Sequence, residues 1–234
     1  MAAGKKQDVK RMFDDIAPKY DLLNRVLSAG IDRKWRRLVI EKLVADEPKR
    51  VLDVATGTAD LAIMAAERGV EQVVGVDIAE NMLEIGRDKI GEHGLQESVV
   101  LRTGDAEKLP FSDRQFDAAT VAFGVRNFED LHRGLAEIRR VLKPGGRLIV
   151  LEFSRPSTFG IRHLYAFYGR YILPAIGRVV SGDPSAYTYL PESIAVFPQG
   201  EEFMQRLERA GFDPAGQKRL TFGIASVYEG IRTA

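Results

Sequence analysis

Apolar residues fall in distinct rhythms along this chain, and each rhythm predicts a different kind of element. From about Lys5 to Leu43 they recur at helical spacing: Val9, Met12, Phe13 and Ile16 first, then Trp35, Leu38, Val39 and Leu43. Pro18 is expected to break the first of these helices, because proline removes an intrahelical donor. After Pro48 the rhythm changes to short unbroken apolar runs: Val51–Ala55, Gln72–Asp77, Val99–Arg102, Phe116–Ala122 and Arg147–Phe153. Such runs predict strands buried on both faces. Helical spacing returns between them over about Asp60–Arg68, Asn81–Ile90 and Leu131–Leu142, the last stopped by Lys143-Pro144-Gly145-Gly146. Strand and helix in strict alternation predict a doubly wound, mostly parallel sheet. A helix over Glu201–Ala210 and strands over Phe212–Lys218 and Leu220–Tyr228 close the chain. That final pair predicts an antiparallel hairpin at the sheet edge, seven strands in all.

These elements divide the chain into one domain with four parts. Residues 1–47 form a helical N-terminal lid, 48–153 the ligand-binding core, 154–198 a helical insertion, and 199–234 the C-terminal helix and strand pair. The insertion is rich in Tyr, Phe, Pro and Gly and shows no clear strand. A length of 234 residues suits a single α/β domain of this kind.

Composition narrows the chemistry. The charge balance is 34 basic against 33 acidic residues, where a nucleic-acid binder that relies on phosphate contacts usually carries a basic excess. No nucleic-acid partner is expected, although Arg33, Lys34, Arg36 and Arg37 form a local basic cluster that reads equally well as a solvated helix face. The absence of cysteine excludes disulfides and thiolate chemistry, and the three histidines are too widely spaced for a metal motif, so no metal is expected. The polar, basic Met1–Gln7 lacks a signal-peptide core, and no run approaches the roughly 18 apolar residues of a membrane span. The expectation is a cytoplasmic protein.

Ligands of doubly wound sheets sit outside the carboxyl ends of the strands. At the first strand end stands Asp53-Val54-Ala55-Thr56-Gly57-Thr58-Ala59-Asp60. It lacks the G-x-G-x-x-G spacing of dinucleotide sites. It resembles instead the D-x-G-x-G-x-G loop of class I S-adenosylmethionine-dependent methyltransferases, with Ala55 and Ala59 in two glycine places. Asp53, Gly57 and Thr58 are therefore candidate cofactor residues. Asp77 ends the second strand, where a carboxylate can accept from both ribose hydroxyls. Asp105 and Ala106 follow the third strand, where methyltransferases hold adenine, although Asp105 also reads as a turn cap. Together these features imply the Rossmann-like methyltransferase fold and S-adenosyl-L-methionine as cofactor.

The chain further resembles the ubiquinone/menaquinone biosynthesis methyltransferase family. Lys19-Tyr20-Asp21-Leu22-Leu23-Asn24 and Ser28–Trp35 are similar to its N-terminal signature, with Leu23 in place of Met and Asp32 in place of His. Arg140–Ser154, Phe123-Gly124-Val125-Arg126-Asn127 and Tyr189–Ile194 match its other motifs, and the likeness extends over nearly the whole chain beyond residue 8.

The family implies a polyprenylated hydroquinone methylated on a ring carbon. The Leu23 and Asp32 departures favour demethylmenaquinol as the acceptor. The 6-methoxy-benzoquinol precursor of ubiquinone is the alternative, and a non-enzymatic cofactor-binding subunit a third. Carbon alkylation needs a phenolate-like ring. Arg126 would stabilise its oxygen or hold the loop as an ion pair, Asn127 would orient the hydroxyl, and Tyr20 would close over the site or pack as a buried aromatic. Glu152 and Ser154 would line the pocket or serve local structure. The aromatic stretch Tyr165–Pro174, interleaved with Arg162, Arg170 and Arg178, would supply a channel for the prenyl tail, a peripheral membrane face or a homodimer contact.

Overall fold

The computed structural model describes residues 4–28, 30–156, 160 and 185–233. The chain opens with helices α1 (Lys5–Leu27) and α2 (Asp32–Val44), and then alternates β1 (Arg50–Val54), α3 (Asp60–Glu67), β2 (Gln72–Asp77), α4 (Glu80–Glu92), β3 (Val99–Thr103) and β4 (Phe116–Ala122). A single 3-10 turn over Val125–Asn127 leads to α5 (Leu131–Val141) and β5 (Leu142–Phe153). Helices α6 (Ser185–Val196) and α7 (Glu201–Arg209) precede β6 (Phe212–Leu220) and β7 (Ala225–Arg232). The seven strands form one sheet in the order β3-β2-β1-β4-β5-β7-β6. Strands β1 to β5 run parallel, and β7 inserts antiparallel between β5 and β6. The expected edge hairpin is present, with its second strand turned inward.

The sheet separates two apolar layers. Trp35, Val39, Ile40 and Leu43 of α2 pack with α3 and α4 residues on one face. Phe116, Leu135, Ile138, Phe203 and Tyr228 fill the other. Both faces of β1, β4 and β5 are covered, which is why those strands read as unbroken apolar runs.

Three expected boundaries are corrected. Helix α1 continues through Pro18 instead of breaking there. A proline at position 18 leaves the Asp14 carbonyl without its helical donor. Asn81 Nδ2 supplies that donor at 3.2 Å, and the Asn81 backbone N–H donates to Asp14 Oδ1 at 3.1 Å. The start of α4 thus repairs the defect and fixes α1 beside it. Strand β5 begins at Leu142 rather than Arg147, because Leu142 pairs with Phe116 before the Lys-Pro-Gly-Gly bulge. Strand β7 begins at Ala225 rather than Leu220, because Thr221, Phe222 and Gly223 all take positive φ in a tight turn. The turn is tied down by a hydrogen bond from Trp35 Nε1 to Thr221 Oγ1 at 2.9 Å.

Of the expected insertion, Ser185–Val196 is helical. The aromatic stretch Tyr165–Pro174 and its interleaved arginines lie outside the described residues.

Candidate active site

A cleft of about 710 Å³ opens along the carboxyl ends of β1, β2, β3 and β4. Its lining runs from Asp77, Asp105, Ala106 and Glu107 at one end to Ala122, Phe123, Gly124 and Asn127 at the other. Helix α1 roofs it with Lys6, Val9, Phe13 and Tyr20.

The first loop shows how alanine can replace glycine there. Ala55 and Ala59 both adopt left-handed backbone, with φ of 54° and 65°. This conformation costs a non-glycine residue roughly 1 kcal/mol. Ala59 is fully buried, and its methyl points to Gly86 of α4. A Cβ at Gly86 would lie 3.2 Å from the Ala59 Cβ and 2.7 Å from Leu101 Cδ1. The helix has therefore given up a side chain where the loop has gained one. The Ala59 methyl faces the core and leaves the cleft unnarrowed. Ala55 makes the same exchange with Gly124, whose added Cβ would stand 2.4 Å from the Ala55 methyl.

Asp77 is the polar centre of the cofactor end. Its Oδ2 accepts from the Gly57 N–H at 2.8 Å and its Oδ1 from the Ala79 N–H at 2.9 Å. These bonds do not exhaust the acceptor capacity of the carboxylate. Burial pushes this carboxyl up, and the backbone donors of Ala79, Gly57 and Ile78 oppose that shift. A carboxylate held this way, in a cleft lined by small residues, fits two vicinal hydroxyls of a nucleoside. Asp105 lines the same end. Its Oδ1 accepts from the Glu107 N–H at 2.9 Å and its Oδ2 from Lys6 Nζ at 2.7 Å. Lys6 also reaches Glu107 at 3.0 Å. Glu107 in turn accepts from the backbone N–H groups of Glu129 and Asp130.

Two expected cofactor residues stand behind the cleft. Asp53 is buried, and its two oxygens accept from Thr56 Oγ1 and Thr120 Oγ1, each at 2.6 Å. Burial pushes its carboxyl up to about 6, against the two threonine bonds. It braces β1 against β4. The Thr58 hydroxyl donates to Asp21 of α1 at 2.7 Å and accepts from Lys89 at 3.3 Å. It ties the loop to the roof of the cleft.

Asn127 and Tyr20 also line the cleft, whereas Arg126 does not. The Arg126 guanidinium is buried against Glu152, with Nη1 and Oε1 2.8 Å apart. It also bonds the Phe123 carbonyl and lies 5.5 Å over the Phe153 ring. Phe153 stacks on Phe123 at 4.4 Å, and Arg36 lies 5.4 Å over the Phe123 ring. Burial pushes Glu152 up while Arg126 pulls it down. Ser154 donates to the Gly223 carbonyl at 2.8 Å, a structural bond. The Tyr20 phenol is raised by burial, opposed by a hydrogen bond with Asn24 and by the fields of Arg36 and Arg126. It therefore stays protonated at neutral pH.

Sequence reasoning overlooked Lys6, Glu107 and Tyr189. Lys6 lies in a stretch that reads as a polar tail, and its partners stand about a hundred residues away, so no local signal marks it. Tyr189 stood in a recognised motif, yet only the fold reveals its hydrogen bond to Asn127.

Comparison with known proteins agrees with this geometry. The model of the ubiE/COQ5 methyltransferase family matches residues 1–232. The demethylmenaquinone methyltransferase of Bacteroides fragilis is 48% identical over 225 residues, covering 96% of this chain and 92% of that one. The ubiquinone/menaquinone biosynthesis C-methyltransferase UbiE of Geotalea daltonii is 44% identical over 228 residues, covering 97% of each chain. Among solved structures, magnesium protoporphyrin IX methyltransferase from Synechocystis with bound SAH superposes with a TM-score of 0.70 at 20% identity, over 97% of this chain and 100% of that one. The likeness to that structure speaks for the fold, that of class I S-adenosylmethionine-dependent methyltransferases. The motifs, the sheet order and the family match converge: the chain belongs to the ubiE/COQ5 methyltransferase family.

Proposed function

We propose that this protein transfers a methyl group from S-adenosyl-L-methionine to a ring carbon of demethylmenaquinol, giving menaquinol. The observation that carries the reading is one cleft lined both by a carboxylate suited to a nucleoside's hydroxyls, Asp77, and by two neutral hydrogen-bonding side chains, Tyr20 and Asn127. Bound there, S-adenosylmethionine supplies an electrophilic methyl group. Asp77 would hold its ribose, and Asp105 and Ala106 would hold its adenine. The protein's remaining task is to present an electron-rich carbon in line with that methyl and to keep water from competing.

Tyr20 and Asn127 do this by hydrogen bonding the acceptor's ring oxygen. Loss of the hydroquinol proton to water leaves an oxyanion, and donors placed before that charge develops lower the barrier. Once the carbon is methylated, its hydrogen leaves as a proton to water, which restores the aromatic ring, and the oxygen regains a proton. Arg126 acts one layer behind. Its pairing with Glu152 leaves it as a fixed positive neighbour rather than a direct contact, and it keeps the Asn127 turn in place. Phe123, Phe128 and Phe13 provide apolar walls for the fused ring. The prenyl tail remains in lipid, so the enzyme works as a peripheral protein at the membrane surface. Among the described residues no helix is long and apolar enough to cross a membrane.

The test is transfer of label from methyl-labelled S-adenosylmethionine to reduced demethylmenaquinone, with the demethylated benzoquinol run in parallel. Label in menaquinone at a rate well above the benzoquinol product is the expected result. Preference for the benzoquinol moves the enzyme to the ubiquinone branch. Label in neither, with cofactor binding intact, discards the quinone assignment.

A further inference from the structure

Helix α6 reaches the acceptor end of the cleft from a part of the chain far from every strand-end loop. Tyr189 and Ser193 stand four residues apart on it, and so share one face. Ser193 Oγ accepts from Arg126 Nε at 3.3 Å. Tyr189 Oη donates to Asn127 Oδ1 at 2.9 Å. One helix face therefore holds two consecutive residues of the turn that follows β4.

The second of these bonds has a chemical consequence. A carboxamide has two unlike ends: Oδ1 only accepts and Nδ2 only donates. Which end faces the cleft decides whether Asn127 attracts or repels an oxyanion. The backbone of Asn127 is itself fixed, its N–H donating to the Gly124 carbonyl at 3.0 Å. The remaining freedom is rotation of the amide, and a phenolic O–H directed at Oδ1 removes it. Burial pushes the Tyr189 phenol up, which keeps it a donor across the neutral range.

We infer that Tyr189 is a positioning residue: its hydroxyl holds the Asn127 amide in the one orientation that offers N–H donors to the acceptor's ring oxygen. The identity of that oxygen rests on the proposed function, whereas the hydrogen bond between the two side chains does not.

Tyr189→Phe removes the hydroxyl and keeps the ring. With demethylmenaquinol as acceptor, kcat is expected to fall about ten-fold, the scale of one directional hydrogen bond. KM for S-adenosylmethionine and the melting temperature are expected to stay at wild-type values. On an Asn127→Ala background the same substitution is expected to cost nothing further, because the amide it orients is gone. A readout free of activity accompanies these. The side-chain amide pair of Asn127, identified in a nitrogen–proton spectrum by its loss in Asn127→Ala, is expected to shift in Tyr189→Phe. Wild-type kcat with an unshifted amide overturns the inference, and so does an equal loss of kcat in both backgrounds. If the wild-type protein methylates neither quinol, the substrate reading fails and the Asn127 amide pair alone decides the role of Tyr189.

Discussion

The proposed cofactor and acceptor sides of the cleft are built by different means. At Asp77 the first is held by backbone. Asp77 is held by the N–H groups of Gly57 and Ala79, and small residues form the cradle around it. Its parts lie at consecutive strand ends. The acceptor end is made of side chains from remote segments: Tyr20 of α1, Asn127 after β4, Glu152 of β5 and Tyr189 of α6. A backbone cradle binds the same ligand wherever it recurs, and a side-chain cluster can be rebuilt for each acceptor. This is the physical basis on which one fold serves many methyl acceptors.

That contrast can be broken at either end. Arg126→Met should have the largest effect, on stability. It leaves the Glu152 carboxylate buried without its partner, at a cost of about 3–5 kcal/mol. Urea denaturation would measure this, and Glu152→Gln added to it should recover much of the loss. An undiminished deficit in the double variant would mean that the ion pair is not what Arg126 supplies. Asp77→Asn should cost less stability and strike cofactor binding. It turns an acceptor toward the backbone donors into a competing donor, and the dissociation constant for S-adenosylmethionine should rise at least about 300-fold, or about 3.4 kcal/mol. Calorimetry would read it. Wild-type affinity would remove Asp77 from the cofactor site.

Asp53→Asn should give the smallest effect, and only as a function of pH. The folded carboxyl titrates at about 6, above its ordinary 3.8. Between those values the folded protein holds a proton that the unfolded chain has released, so Asp53 lowers stability as pH rises through that window. Relative to wild type, the Asn variant should gain about 2 kcal/mol from pH 4 to pH 7 and little beyond. A difference in stability that is constant with pH would contradict the raised carboxyl.

The same contrast explains what could be read in the chain. Asp77 was legible because a carboxylate at a strand end is a local pattern. Asp53 and Thr58 belong to an equally local pattern, but only the fold shows their side chains turned away from the cleft. Tyr189 and Lys6 act through partners 62 and 99 residues distant, a relation that no periodicity encodes. Pro18 misled because its remedy, Asn81, comes from another helix. Asp32, where the family pattern has His, is legible only afterwards. It is buried against Arg36 and accepts from Ser28 Oγ at 2.5 Å, so the exchange belongs to a local ion pair.

The tether of Lys6 to Asp105 also sets a timetable. A chain made from its N-terminus exposes α1 first, yet the lysine's acidic partners follow about a hundred residues later. At about 5–20 residues per second, the apolar face of α1 waits on the order of 5–20 s without its own docking surface. The roof of the cleft is synthesised before its floor, and its attachment must await that floor.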